Sequence, residues 1–115
     1  MRNKAFRMTM LFDFYGDLLT ERQREFFDLY YNEDLSLAEI AENSGITRQG
    51  VRDSLKKTES LLLHYEETLG LVARFHRTDD ALRAVLTEIG ALYPTDASLS
   101  ALIARARALI ENGEA

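Results

Sequence analysis

Residues 36–59 read SLAEIAENSGITRQGVRDSLKKTE, and the fold turns on this stretch. Leu37, Ile40 and Ala41 share one helical face. Gly45 stands where a helix would end, and Ile46, Val51 and Leu55 resume the apolar stripe after the break. Ser36 followed by Glu39 makes an S-x-x-E capping box, and Thr47 is placed to cap the first free amides of the second helix. Gly45 takes a left-handed conformation without a Cβ clash, and Ala41 is small enough for the second helix to cross closely. A helix, a tight turn and a second helix with these features predict a helix-turn-helix.

In such a unit the second helix turns its outer face to the partner. Here that face carries Arg48, Gln49, Arg52, Asp53 and Lys56, with Thr47 at its start and Lys57 beside it. Arginine and glutamine read guanine and adenine edges bidentately, and lysine contacts phosphate, so these seven positions are the candidate nucleic-acid contacts. The alternative is a solvated face on a motif used only for packing.

Working outward, the apolar spacing does not stop at Glu59. Val51, Leu55, Thr58, Leu62, Tyr65 and Leu69 continue it to Gly70, so one helix is expected over 47–69, about 34 Å long at 1.5 Å per residue. That is more than a DNA-reading helix needs, and the second half must pack on something. A homodimer is expected through Leu62, Tyr65 and Leu69 of this helix and through the C-terminal helices, since the apolar surface exceeds what a three-helix core covers and a modest local positive charge binds tightly only in two copies. Gly50, in the first turns of this helix, costs roughly 1 kcal/mol relative to alanine. Close approach of a partner backbone, or simple tolerance, would account for it.

Upstream, residues 5–16 read as a helix rich in Phe, Met and Tyr, destined for core or interface. Gly16 and Asp17 break it. Thr20 and Gln23 then form another capping box ahead of Phe26, Phe27, Leu29, Tyr30 and Tyr31, in a helix that should brace the motif. Downstream, Thr78, Asp79 and Asp80 are expected to cap a helix carrying Leu82, Val85, Leu86, Ile89 and Leu92. Pro94 separates it from a last helix with Leu99, Leu102, Ile103, Ala106, Leu109 and Ile110. These two form a helical hairpin whose second apolar face needs a cover, either the long helix of its own chain or that of a neighbour.

The 115 residues, 46% of them hydrophobic, suffice for one domain with its own core. There is no cysteine, which excludes disulfides, thiolate metal sites and a cysteine nucleophile. Glu33 and Asp34 read as solvated loop acids, Asp79 and Asp80 as helix-start acids, and His64 as a surface residue, so no metal, cofactor or catalytic constellation is expected. Arg7 and Asp13 interrupt the N-terminal apolar run, and no stretch approaches the roughly 20 apolar residues of a membrane span. A cytoplasmic, non-enzymatic protein is expected. The formal charge is −5, and the only positive stretches are the N-terminal segment and the second helix of the motif.

The segment LFDFYGDLLTERQREFFDLYYNEDLSLAEIAENSGITRQGVRDSLKKTE, Leu11 to Glu59, closely resembles the YlxM family of small bacterial proteins. The resemblance includes the FDFYGDLLT block and the linker as well as the general motif. It implies kinship with the promoter-reading domain of sigma-70 factors, region 4. It also implies a regulatory or accessory role linked to the signal recognition particle, whose genes neighbour those of the family. The resulting expectation is an all-α protein, residues 1–115 in a single domain. Residues 1–60 would hold an N-terminal helix and a helix-turn-helix core, and residues 61–115 a C-terminal helical extension. Its function would be nucleic-acid-binding regulation, DNA more than RNA. The rival is a protein-interaction adaptor of the signal recognition particle that binds the particle's GTPase or RNA.

Overall fold

The capping residues divide the chain into six α-helices in the computed structural model, which describes residues 2–112. They are α1 Arg2–Tyr15, α2 Glu21–Phe27, α3 Leu37–Ser44, α4 Arg48–Leu69, α5 Leu71–Leu92 and α6 Ala97–Asn112, with no strand among the described residues. A 3₁₀ turn, Gly16–Leu18, follows α1, and a π-helical turn, Asp28–Asn32, extends α2. The protein is thus all-α, as its periodicity predicts, and no helix among the described residues is long and apolar enough to cross a membrane.

The helix starts expected at Thr20, Ser36 and Thr47 are each made by that residue's own side chain. Thr20 Oγ1 accepts the Gln23 amide at 3.1 Å, Ser36 Oγ accepts the Glu39 amide at 3.1 Å, and Thr47 Oγ1 accepts the Gly50 amide at 3.0 Å. Gln23 and Glu39 reach back to complete their boxes. Gly45 closes α3 at φ 75° and Gly70 closes α4 at φ 62°. A Cβ at Gly45 would meet nothing within 4 Å, so its only penalty is the left-handed backbone. Gly45→Ala is expected to cost about 1–2 kcal/mol, read as a lower urea midpoint with an unchanged slope.

Contacts divide the chain into two compact units between Val72 and Ala73. In the first, α4 is the spine. Its N-terminal half supplies Val51 and Leu55 to a core with Phe26 of α2 and with Ile40 and Ala41 of α3. Its C-terminal half supplies Leu62 to a second core with Met8, Leu11 and Tyr15 of α1, Leu19, Phe27 and Val72. Thr58 lies buried between them and returns its hydroxyl to the Ser54 carbonyl at 3.0 Å. Most of the aromatic block packs on this second core, with Phe12 stacked on Phe27 at 4.4 Å between centroids and Phe27 on Tyr31 at 4.4 Å, while Phe6 is exposed.

This arrangement takes Leu62 and Tyr65 out of the expected dimer interface. Leu62 is 0% exposed inside the core of its own chain, and Tyr65 packs on the same cluster with its ring 6.0 Å from that of Tyr15. Only Leu69 of the three is at the surface. The stripe that called for a cover finds it in α1, an element whose pairing with α4 no local pattern announces.

The α4–α5 junction is capped from a distance. The Tyr15 hydroxyl donates to Glu66 Oε1 at 2.6 Å and accepts the Leu71 amide at 3.0 Å, while Glu66 Oε1 also accepts the Val72 amide at 3.0 Å. Burial, and then the hydrogen bond to Glu66, raise the Tyr15 phenol above its ordinary value, so it remains a donor at neutral pH. With its first amides satisfied there, α5 runs unbroken through Thr78, Asp79 and Asp80, where a helix start was expected. Asp79 instead pairs with Arg83 one turn on, at 3.4 Å.

In the second unit, α5 turns at Tyr93–Asp96 into α6, whose first turn Asp96 caps by accepting the Leu99 amide at 2.9 Å. The two helices meet in antiparallel register. Arg107 donates to Thr87 at 2.8 Å, and Gly90 sits against Ile103.

Candidate nucleic-acid interface

Four cationic or amide side chains that lie close in sequence also lie close in space. Arg48, Gln49 and Arg52, on the exposed face of α4, line a groove with Ser36, Leu37 and Ala38 at the start of α3. This groove sets two guanidinium groups beside the capped start of α3. One turn further, Arg52 and Lys56 border a second groove with Leu37, Tyr30, Glu59 and Lys4.

Lys4 is the residue that sequence reasoning did not single out. Its ammonium lies 3.4 Å from Glu59 Oε1, and the other Glu59 oxygen accepts the Tyr31 hydroxyl. Burial first, then the Glu59 contact, push the half-buried Tyr31 phenol well above its ordinary value, so it stays a donor at neutral pH. Glu59 thereby ties α1, the π turn and α4 together and holds Lys4 at the edge of the basic face. The positive N-terminal segment carried that signal, but only tertiary packing brings it to α4.

The other expected positions fare differently. Thr47 spends its hydroxyl's acceptor capacity on the helix cap. Gln49 donates to Asp53 Oδ1 at 2.8 Å, a pairing it must break or share to read a base. Asp53 borders neither groove. Lys57, nine residues beyond Arg48, lies about 180° round the helix from it at 100° per residue, off the patch. Gly50 has an internal reason, because a Cβ there would come within 3.2 Å of Thr47 Oγ1 and 3.4 Å of Ile46 Cδ1, crowding the cap.

Among the described residues, Arg48, Arg52 and Lys56 make no ion pair within the chain. Cations held on a rigid helix without internal counter-ions are available to phosphates and base edges. The described residues contain no cluster of three or more His, Asp or Glu side chains that could hold a metal ion.

The sequence matches, over residues 2–105, the family model described as UPF0122, "Putative helix-turn-helix protein, YlxM / p13 like". It is 52% identical over 80 residues to a UPF0122 protein of Desulforamulus reducens, covering 70% of this chain and 68% of that one. It is 43% identical over 103 residues to one from Geobacillus kaustophilus, covering 90% and 94%. With one from Limosilactobacillus reuteri the identity is 41% over 108 residues, covering 94% and 96%.

Proposed function

This chain belongs to the UPF0122 family of YlxM / p13 like proteins, and we propose that it is a non-enzymatic regulator that binds duplex DNA through the outer face of α4. The observation that carries this reading is the gathering of Arg48, Gln49, Arg52 and Lys56, with Lys4 beside them, on one exposed face of a chain whose net charge is −5. Two guanidinium groups one turn apart suit base edges in a major groove, and Lys56 and Lys4 suit the flanking phosphates. So few cations give one copy only weak, salt-sensitive binding, and two copies would supply the rest.

The second reading makes the protein an adaptor of the signal recognition particle, with the motif as scaffold. The acidic balance favours it. Selection of duplex DNA from a random pool, run beside pull-down with the particle's GTPase and RNA, separates the two. The DNA reading expects an enriched duplex whose preference over random sequence persists as salt rises, because base contacts survive when phosphate contacts are screened. No enriched duplex together with saturable binding to the particle would overturn it. A-form RNA hides its major groove from a helix, so binding there would depend on charge and shape, and Gln49→Ala would leave it unchanged.

A further inference from the structure

Among the described residues of the second unit, 73–112, none is buried. The half-buried apolar side chains are Leu86 and Ile89 of α5 and Leu99, Ile103, Ala106 and Ile110 of α6, and they form the seam along which the two helices meet. A second apolar stripe runs beside that seam. Val85 and Leu92 on α5, and Leu102 and Leu109 on α6, are between 47% and 72% exposed. At 100° per residue both stripes are displaced from the seam by about 80° in the same rotational sense. Because the helices run antiparallel, that places both on the same face of the hairpin. The opposite face is polar and already tied, by Asp79 to Arg83 and by Arg107 to Thr87. A hairpin of this size with no buried core is not stable alone, so its apolar face requires a cover.

Charge identifies the cover. Glu88 flanks the α5 stripe between Val85 and Leu92, and Arg105 flanks the α6 stripe between Leu102 and Leu109. The pairings Thr87 with Arg107 and Gly90 with Ile103 set Glu88 and Arg105 at the same level of the hairpin. Both are exposed, and neither makes an ion pair among the described residues. We propose that this face is where two copies of the chain pair, hairpin on hairpin, about a two-fold axis parallel to the helices. That axis lays α5 of one copy on α6 of the other, antiparallel, in a four-helix bundle. It brings each Glu88 to the Arg105 of the other copy. The alternative two-fold, with α5 on α5, would set Glu88 against Glu88 and is disfavoured by like charge. The inference does not depend on the nucleic-acid reading, since the face lies wholly within the second unit.

The test is the oligomeric state of the full chain by light scattering and sedimentation. The wild type is expected to be dimeric at tens of micromolar. Glu88→Arg and Arg105→Glu should each weaken the dimer at least about tenfold, and the double reversal should restore it. Both positions are exposed, so helical content should not change, and Leu102→Ser provides a weakening that does not involve charge. A monomeric wild type, single reversals that dimerise as tightly as the parent, or a double reversal no tighter than the singles would each overturn the proposal.

Discussion

A glutamate at position 62 is expected to unfold the first unit at 25 °C, with loss of the cooperative thermal transition and of the near-ultraviolet signal from the packed tyrosines. Leu62 is fully buried against Met8, Leu11 and Tyr15. Removing its side chain from the core forfeits about 2–5 kcal/mol, and the carboxylate adds the cost of a buried polar group without a partner. A small domain has only about 5–15 kcal/mol to lose. Leu69→Glu, on the same helix but exposed, should change stability by about 0.5 kcal/mol or less. The contrast separates a core residue from an interface residue. If Leu62→Glu gave a folded protein with only its self-association altered, the assignment of Leu62 to the α1–α4 core would fail.

Replacing Arg48 and Arg52 together by alanine is expected to abolish sequence preference and to weaken duplex binding by about 2–6 kcal/mol, at roughly 1–3 kcal/mol for each bidentate base contact. Both side chains are exposed and make no ion pair among the described residues, so the melting temperature should hold. Lys56→Ala should instead weaken all sequences alike and reduce the salt slope by about 1. Lys57→Ala, off the patch, should do neither. Equilibrium titration at two salt concentrations reads all three variants. A double arginine variant that bound every nucleic acid as the parent does would show that α4 is not the contact surface.

The positions of these two arginines were readable from the sequence, and the role of Leu62 was not. Arg48 and Arg52 follow a cap at Thr47 and share a helix with Val51 and Leu55, so their outward direction follows from spacing alone. Leu62 obeys the same spacing, and the spacing says correctly that its face is covered. It does not say by what. The same limit explains Thr78, Asp79 and Asp80, which have the composition of a helix start. They lie inside α5 because the amides at its true beginning are satisfied by Tyr15 and Glu66.

The sequence by itself determined the helix-turn-helix, its boundaries at Ser36, Gly45, Thr47 and Gly70, and the length of α4. Caps, left-handed glycines and apolar spacing act between residues no more than about four apart, so the local chain contains all the physics they need. Only the tertiary structure decided that α1 covers the second half of α4, that Lys4 joins the basic face through Glu59, and that a phenol 56 residues away caps α5. These depend on which apolar faces find each other when the chain closes on itself. Periodicity reveals that a face must be buried but carries no label for its partner.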